Sequence, residues 1–405
     1  MKTFGTALRH LRAKRGLSLR ALSARVKYDF SYLSQVERGV RQPSTDLVTA
    51  VDRALDAGGT LVAAYERHSG EVEMQRRTVL RALSALAVSA PPTVGLEALR
   101  HGIGAAVGGN DLDEWRQIVA DYGYAYYRLP PAALMDQLTT DLAVLQAMID
   151  ADSGGRRSSL TGIAAQLSVI VAMTLVAGGQ VFLARRWWYT ARKAADESGD
   201  VEAQVLVRAW ETVNASYGHS SPADVLTMSD EAVHLGAGTA TAATAGLHAG
   251  RAQAFALLGR HAEARIEVRR VADITDQLPP TVIANAESLW GWPVHRLRHT
   301  ESYVYTQIGD LTGANRAQEQ ALALYPASQA RLRTQVQLHH ASCLIQSGHV
   351  SDGLRHAADL LDALPADQHN ELLHEVARQV VAVVPPGTAH SGVAELEARI
   401  PTVRT

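Results

Sequence analysis

Cysteine is nearly absent from this chain of 405 residues, which contains a single one, Cys343. One cysteine excludes an internal disulfide and any zinc site built from four cysteines. Aromatic residues are also scarce, at 5% of the chain, whereas alanine dominates many segments and favours helices. No segment shows the convincing apolar–polar alternation of a half-buried strand. The sequence therefore predicts an all-α fold without disulfides.

The chain also lacks a secretory signal and an uninterrupted membrane span. Its N-terminus is polar and basic, without the apolar core of a signal peptide. The longest apolar stretch, residues 163–184, is interrupted near its end at residues 178–180 and is followed by Arg185. A bilayer span needs about 20 predominantly apolar residues. We therefore expect a buried helix there, no membrane association and a cytoplasmic location.

Signatures of catalysis are missing as well. Neither GxSxG nor HExxH occurs, and Cys343 has no base placed beside it. The glycine-rich segment HGIGAAVGGN, residues 101–110, lacks the GK[ST] ending of a phosphate-binding loop and is interpreted as a linker. His295 and His299 share a helix face, but no third metal ligand follows at a suitable spacing. The sequence predicts no enzyme, no metal and no cofactor.

Charge is distributed unevenly although the net charge is only -2. The first 70 residues contain 12 Lys and Arg against 6 Asp and Glu, whereas the remainder contains 27 basic and 35 acidic residues. A basic N-terminal head on an acidic body is typical of a head that meets phosphate.

Residues 18–43 have the pattern of two short helices joined by a tight turn. The inward face of the first helix is marked by apolar residues at helical spacing, Leu19, Leu22 and Val26. Asp29 is placed to cap a second helix, in which Leu33 and Val36 share one face. Gly39 follows, where a left-handed helix end is easiest. A packed helix with small polar side chains outward suits reading of the DNA major groove.

At these residues the chain resembles the Xre/Cro/CI-type helix-turn-helix regulators. The resemblance covers roughly residues 4–66 and rests on the runs LRxxRGLSxxxLS and SYLSQVERGxRQPS, followed by an apolar helix. Three positions depart from the family pattern. Lys27 stands where glycine is usual, Ser23 stands where alanine is usual, and Leu19 stands where many members carry a phosphate-contacting glutamine.

The resemblance implies roles for individual side chains of the head. Four residues match positions that face bases, namely Phe30, Ser31, Ser34 and Gln35. Gln35 suits a bidentate contact to adenine, whereas Phe30 either meets a thymine methyl or packs on the turn. Four cations flank the helix and are candidates for phosphate contacts or for a solvated basic face, namely Arg20, Lys27, Arg38 and Arg41. Tyr32 is either a core residue or a phosphate donor. The resemblance also implies an ion pair between Arg12 and Glu37.

The rest of the chain shows a repeated helix–glycine–helix pattern. Each copy has an apolar helix closed by glycine and a second helix containing small residues, at Gly179, Gly218, Gly259, Gly309 and Gly348. The three clearest copies end in proline, as in YTQIGDLTGANRAQEQALALYP. This pattern resembles the tetratricopeptide repeat, although the copies are longer than its usual length of about 34 residues. The resemblance implies a degenerate solenoid of helical hairpins.

Two further segments, EWRQIVADYGYAYYRLPP and ARRWWYTARKAADESGD, look like parts of actinobacterial regulators of secondary metabolism and development. A stacked helical array leaves a long concave face that suits a peptide, a small molecule or a protein partner. Candidate ligand-binding residues on the array are Asn214, Asn285, Trp290 and Trp292. Packing between repeats, and turn or cap roles for the asparagines, are the alternatives.

The sequence thus predicts an N-terminal five-helix helix-turn-helix domain followed by a degenerate tetratricopeptide-like solenoid. The expected boundaries are 1–69 for the DNA-binding domain, 70–110 for a connecting helix and linker, and 111–400 for the repeats. The leading hypothesis is a transcriptional regulator that binds an inverted repeat in double-stranded DNA, with the repeat domain used for dimerisation and for sensing a peptide or small-molecule ligand. The alternative is a scaffold that holds a protein partner on its repeats, with DNA binding secondary.

Overall fold

The computed structural model describes residues 4–106, 111–152, 155–215, 220–386 and 391–401. All regular elements in these ranges are helices, which confirms the predicted all-α fold. The N-terminal head is built from four short helices and the start of a long one: α1 (Phe4–Lys14), α2 (Leu19–Val26), α3 (Phe30–Glu37), α4 (Thr45–Ala54) and α5 (Thr60–Ser89). Its core is compact and apolar, with Leu8, Leu22, Leu33, Leu47 and Leu61 fully buried. Each such leucine stabilises the head by about 1.5–3 kcal/mol relative to exposure.

Helix α5 connects the head to the body without a break. Its first turns pack on α1 and α4 through Leu61 and Tyr65, and its last turns join the core of the body through Val79 and Leu83. The sequence predicted that the head ends near His68–Gly70, with a separate connecting helix over 71–90. The structure places Gly70 inside α5 instead. One glycine in a helix costs about 1 kcal/mol, which flanking good helix formers can outweigh.

The body begins with α6 (Pro92–Ala106), α7 (Asp111–Arg128), α8 (Pro131–Ala151), α9 (Arg157–Ala177) and α10 (Val181–Ser198). Part of the predicted linker is therefore helical, since Gly102 and Gly104 lie within α6. The buried Val94 and Ala98 of α6 join the core formed by α5 and α8, and this packing stabilises the helix despite its glycines. Gly108 and Gly109 lie outside the described residues.

Helix α9 is, among the described residues, the one helix long and apolar enough to cross a membrane. However, 83% of its most apolar window is buried inside the protein. It is packed against α7, α8, α10 and the later α11 (Val201–Ala215). The apolar stretch seen in the sequence is in fact two helices, because Gly179 has a φ of +71° and separates α9 from α10. The helix has the packing of a core element.

The remainder of the body is an array of antiparallel hairpins. It comprises α12 (Pro222–Leu235), α13 (Ala242–Leu257), α14 (His261–Gln277), the one-turn α15 (Pro280–Ile283), α16 (Val294–Gln307), α17 (Leu311–Leu324), α18 (Ala330–Gln346), α19 (Val350–Ala363), α20 (Glu371–Ala382) and α21 (Ser391–Glu397). The first helices of successive hairpins, α11, α13, α16 and α18, pack side by side.

Four of the glycines noted in the sequence make the same turn. Gly179, Gly259, Gly309 and Gly348 all have φ between +70° and +93°. At each turn the glycine N–H donates to the carbonyl of the residue three positions before it. The N–H of the residue after the glycine donates to the carbonyl of the residue five positions before that residue. This is the helix-ending motif that a left-handed residue allows. Gly218, the fifth predicted turn, lies outside the described residues.

The loop between α15 and α16 folds back onto α7. Trp290 Nε1 donates to the carbonyl of Val119 at 2.8 Å, and the Leu289 N–H donates to the carbonyl of Gly123 at 2.8 Å. A Cβ on Gly123 would come within 2.4 Å of the Trp290 ring, so this approach requires glycine. Helix α7 is therefore docked on the loop that precedes α16.

Candidate nucleic-acid interface

The turn between α2 and α3 is held by short local hydrogen bonds. Ser18 caps α2 by accepting from the Ala21 N–H, and Lys27 ends the helix with a left-handed φ of +58°. Ser23, the residue found in place of the usual alanine, donates from its Oγ to the Tyr28 carbonyl at 2.7 Å. This bond gives the serine a structural role, because it ties the end of α2 to the residue before the cap of α3.

Asp29 starts α3 as a side-chain cap. Its Oδ1 accepts from the Ser31 N–H at 2.7 Å and from the Tyr32 N–H at 3.2 Å. The Ser31 hydroxyl also donates to the same oxygen at 2.5 Å. These bonds, with the Ser31 hydroxyl first, lower the pKa of Asp29. The cap therefore stays ionised over the neutral range and orients the first turn of α3.

Helix α3 is supported from beneath by α1. Arg12 and Glu37 form the ion pair that the resemblance implied, with Nε to Oε1 at 2.6 Å and Nη2 to Oε2 at 2.9 Å. Both side chains are mostly shielded, at 15% and 6% exposed, and the bond to Glu37 raises the pKa of Arg12. Gly5 allows the two helices to approach, because a Cβ there would lie 2.4 Å from the Val36 carbonyl oxygen. The ion pair and the glycine hold the far end of α3 in place.

The outward face of α3 carries the predicted base-reading residues. Phe30 is 44% exposed and Ser31 is exposed, while Ser34 and Gln35 are half-buried. The Gln35 side chain forms no hydrogen bond to any residue in the described ranges. Arg20 lies over the Phe30 ring at 5.8 Å, so Phe30 packs against α2 while keeping an exposed edge. Phe30 therefore has one packed side and one exposed side, and its contact with a thymine methyl stays a prediction.

The four predicted phosphate-binding cations surround this face. Arg20, Lys27, Arg38 and Arg41 are all exposed, and none pairs with a carboxylate within the described part of the chain. Arg38 Nε contacts the Ser34 carbonyl at 3.3 Å, and Arg41 lies 5.0 Å above the Tyr32 ring. Cations without acidic partners give this side of the head a positive potential that suits phosphate.

Tyr32 is a positioning residue in this structure. Its hydroxyl donates to the Gln42 carbonyl and accepts from the Ser44 N–H, both at 3.3 Å. Ser44 in turn caps α4 by accepting from the Leu47 N–H at 3.2 Å. The tyrosine thus ties α3 to the start of α4 across the intervening loop, and Arg41 stacks on its ring.

The four candidate ligand residues of the array do not form one site. Trp292 lines a cavity and donates from Nε1 to Thr275 Oγ1 at 2.9 Å. Asn214 is buried beside a second, smaller cavity of about 40 Å³ and donates to the Trp210 carbonyl. Trp290 docks the loop on α7, as described above, and Asn285 is half-buried in the same loop. Only Trp292 faces the main cavity.

That cavity has a volume of about 120 Å³ and lies among α7, α11, α13, α16 and α18. Sequence reasoning missed most of its lining, including Gln253 and Arg296. It also missed Gly5 in the head. A glycine within a helix pattern is a usable signal, because it often marks a close contact. Gln253 gave no such signal, since a glutamine in an alanine-rich helix is more often on the surface.

The two histidines considered as a metal pair are both buried, and no group of three metal-ligating side chains occurs in the ranges described above. His299 Nδ1 lies 2.9 Å from the Tyr325 hydroxyl. Burial, with the charge of Arg296 nearby, lowers the pKa of His295 to about 3 and that of His299 to about 4. Both imidazoles are therefore neutral parts of the core.

Comparison with known proteins identifies the head. A family model described as a helix-turn-helix domain matches residues 3–65. Two curated relatives, each described as transcriptional regulator ClgR, come from the CDC 1551 / Oshkosh and H37Rv strains of Mycobacterium tuberculosis. Each is 34% identical over 76 residues, which cover 18% of this chain and 68% of the relative. No solved structure matches the chain significantly.

The family match spans α1 to α4 and the first turns of α5, and so contains the exposed α3 and its capping and supporting residues. The chain also covers more than two thirds of each relative's length. On these grounds the chain belongs to the helix-turn-helix family of transcriptional regulators.

Proposed function

We propose that the protein is a sequence-specific transcriptional regulator that inserts α3 into the major groove of double-stranded DNA. The observation that carries this proposal is the outward face of α3. Within the described ranges, the amide of Gln35 there makes no hydrogen bond, and the four exposed cations around it have no acidic partner. Contacts to phosphates position such a helix, and contacts to base edges supply specificity. The relatives named as transcriptional regulators support the same function.

Individual residues of α3 take distinct roles in this proposal. Gln35 makes a bidentate contact to adenine. The Ser31 hydroxyl donates its hydrogen bond to Asp29, so its oxygen can accept a hydrogen bond from a base amino group. Ser34 lies beside Gln35 at the base edges. The exposed edge of Phe30 meets a thymine methyl, and the neighbouring cations Arg20, Lys27, Arg38 and Arg41 contact phosphates.

The first test combines genome-wide mapping of bound DNA with the double variant Gln35→Ala, Ser31→Ala. We expect wild-type peaks that share an inverted repeat, and we expect the double variant to lose them while keeping weak binding to any sequence. Each lost base contact costs about 1–3 kcal/mol of discrimination. Gln117→Ala, at an exposed glutamine of α7, is the matched control and should leave the peaks unchanged.

The same experiment decides between a regulator and a scaffold. A flat wild-type profile from folded, abundant protein would contradict the proposal and favour a scaffold that acts through its helical array. Circular dichroism checks that the double variant is still folded, because Ser31→Ala also removes one hydrogen bond to Asp29, the cap of α3. A loss of DNA binding in a folded variant is then due to the missing side chains.

We propose that the regulator works as a homodimer, with two heads on the half-sites of an inverted repeat. An exposed apolar stripe on α6 supports a contact with a second copy. Leu96, Leu99 and Ile103 lie three and four residues apart, so they share a face, and they are 68%, 51% and 65% exposed. Burying such a stripe against its own copy removes apolar surface from water.

The dimer is tested by Leu99→Glu, with light scattering as the measurement. A carboxylate at the centre of the stripe is expected to convert the dimer to monomer, because an unpaired charge is costly at an apolar contact. Leu324→Glu in α17 is the matched control, since Leu324 is 50% exposed and lies far along the chain from α6. An unchanged dimer in Leu99→Glu would place the contact elsewhere.

We further propose that the helical array, a degenerate tetratricopeptide-like domain, senses a ligand that shifts the geometry of the heads. A ligand has this effect only if it binds one geometry more tightly than the other. The cavity of about 120 Å³ favours a small molecule over an extended peptide or a protein tail. In this proposal the protein acts in the cytoplasm and controls genes of secondary metabolism or development.

A further inference from the structure

The cavity in the helical array has a floor made by one face of α13. Four small residues on this face, spaced for helical neighbours, leave the space open: Ala242, Ala243, Gly246 and Ala249. Aromatic rings from four other segments form the walls: Tyr127, Trp210, Trp292 and Tyr325. Its volume of about 120 Å³ is of the order of a cavity of about 150 Å³ that accepts a benzene ring.

Gln253 supplies an unused acceptor at this cavity. It follows the small residues along α13, lines the cavity, and is only 3% exposed. Its Oε1 has no hydrogen-bond partner within the described residues. A buried acceptor without a donor destabilises a protein, and native structures rarely leave one without a reason. A ligand N–H or O–H directed at this oxygen would satisfy it.

Arg296 supplies a positive charge that is not paired with any carboxylate of the described residues. Its guanidinium donates to the carbonyls of Ser288, Leu289 and Gly291 at 2.7 to 2.9 Å, and to the Tyr127 hydroxyl at 3.0 Å. All of these partners are neutral. The guanidinium also lies 5.6 Å from the centre of the Trp210 ring. No Asp or Glu is among the residues that line the cavity.

The rest of the lining adds no second charge. His299 also faces the cavity, and burial keeps its pKa near 4, so its ring is neutral at physiological pH. Tyr127 accepts its hydrogen bond from Arg296 and therefore has its own proton left to donate. Arg296 and Tyr127 together present a cation and a polarised O–H donor, which is a combination that suits an anion.

We propose that this cavity binds a small aromatic carboxylate, with its carboxylate at Arg296 and Tyr127, its ring against Trp210 and Trp292, and a hydrogen-bond donor on the ring directed at Gln253 Oε1. The binding itself needs no DNA. Its role in regulation rests on the proposed function, in which a ligand of the array changes the geometry of the heads.

The probe is 4-hydroxybenzoate, titrated into the full-length protein without DNA and followed by calorimetry and by tryptophan fluorescence. Two matched probes isolate the two polar contacts: 4-hydroxybenzamide lacks the negative charge, and benzoate lacks the ring donor. We expect saturable binding of 4-hydroxybenzoate, with each matched probe weaker by about tenfold or more, since tenfold corresponds to about 1.4 kcal/mol.

The variant Gln253→Leu tests the acceptor directly. It should lower the affinity for 4-hydroxybenzoate to that for benzoate, while leaving benzoate binding unchanged. Arg296→Lys should weaken both acids, because a lysine cannot reproduce the fork of donors that holds the loop carbonyls and Tyr127, so the cation is no longer fixed beside the anion. Arg157→Lys is the matched control, since Arg157 donates to the carbonyl of Ile149 in α8 and does not line the cavity.

Two results would overturn the proposal. One is the absence of saturable 4-hydroxybenzoate binding up to millimolar concentration, and the other is equal binding of the acid and its amide. Both are measured on the wild-type protein, so a variant that fails to fold does not remove the test. A protein that binds the acid but no DNA would keep this site and refute the proposed function. A protein that binds DNA but not the acid would keep the proposed function and refute this site.

Discussion

Lys27 combines a backbone cost with an electrostatic benefit at the turn between α2 and α3. Its φ of +58° is in the left-handed region, which costs a non-glycine residue roughly 1 kcal/mol or more. Its side chain is exposed and lies among the cations around α3. A glycine would fit the backbone better but would remove a charge from the proposed phosphate contacts. Stability and DNA affinity are therefore in competition at this position.

We predict that Lys27→Gly stabilises the head by up to about 1 kcal/mol and weakens DNA binding at every sequence alike. The slope of log affinity against log salt should become shallower by about 1, because one phosphate contact is lost. Thermal unfolding measures the first effect, and binding titrations at several salt concentrations measure the second.

Lys14→Gly is the control for both measurements. It removes the same charge from the exposed end of α1, outside the cations around α3, and should destabilise the helix without changing the salt slope. If Lys27→Gly leaves both the affinity and the salt slope as in the wild type, Lys27 makes no phosphate contact.

At the scale of single residues, what could be predicted from the sequence was local. Asp29 and Ser44 are caps whose partners lie two or three residues away, so the sequence pattern contains the whole interaction. The Arg12–Glu37 pair is long-range and was available only through family resemblance. Gln253 and Arg296 could not be identified, because their roles depend on helices that approach only after the array is assembled.

Two helical glycines in neighbouring elements show how packing decides the effect of a residue. Gly70 lies in the exposed middle of α5, and a Cβ there would meet nothing within 4 Å. Gly95 lies in α6 against α5, and a Cβ there would come within 2.8 Å of the Ala87 carbonyl oxygen. Helix propensity therefore decides how an added methyl group changes stability at Gly70, and steric contact decides it at Gly95.

We predict opposite signs for the same substitution at these two positions. Gly70→Ala should stabilise α5 by about 0.5–1 kcal/mol through helix propensity and reduced entropy of the unfolded chain. Gly95→Ala should destabilise the protein, because α6 must move away from α5 to admit the methyl group. Chemical denaturation of each single variant measures both. A gain in stability at Gly95 would contradict the close packing of the two helices.

At the scale of elements, the glycine turns and the apolar periods predicted most of the hairpins. The boundaries failed where two helices continued through a glycine, as in α5 and α6, since a tertiary core stabilised what the local pattern disfavoured. The apolar stretch over 163–184 was expected to form one buried helix, but Gly179 has the left-handed backbone that ends α9 and divides the stretch in two.

At the scale of the whole molecule, buried histidines give the body a sensitivity to acid. His295, His299 and His339 cluster between α16 and α18, with the rings of His299 and His339 centred 5.4 Å apart. Burial lowers the pKa of all three, and the charge of Arg296 adds to this at two of them, where the pKa falls to about 3 for His295 and about 4 for His299. The folded protein keeps these rings neutral, whereas the unfolded chain protonates them at ordinary values near 6.5.

The protein should therefore lose stability as pH falls below about 6.5. The loss due to His299 should continue to about pH 4 and that due to His295 to about pH 3. In this window the unfolded state binds more protons, so stability rises with pH, by up to about 1.4 kcal/mol per pH unit for each histidine. Urea unfolding between about pH 7 and pH 5 measures this slope. Lowered carboxylate pKa values, such as that of Glu267, act at lower pH and do not confuse the result.

The variant His299→Gln should flatten the slope by about one proton, and His261→Gln, at an exposed histidine of α14, should leave it unchanged. Equal slopes in all three proteins would mean that His299 is not held neutral in the core.

Docking of the array on α7 was the large-scale feature that the sequence could not predict. The two partners, the loop around Trp290 and the groove at Gly123, lie far apart in the chain and carry no common pattern. The sequence analysis predicted an open concave face because it considered the repeat pattern alone. Tyr127 of α7 forms one wall of the cavity because of this docking, which only the assembled structure contains.

Because α5 is uninterrupted, its length fixes the rotation of the head about the helix axis. Each residue of an α-helix turns the chain by about 100°, so two extra residues in its exposed middle would rotate the head about the helix axis by about 200°, whereas seven would nearly restore it. The direction in which α3 faces is therefore encoded in the number of residues between Tyr65 and Val79. Natural insertions in this stretch should come in multiples that preserve the phase, and those that do not should change which spacing of half-sites a dimer can occupy.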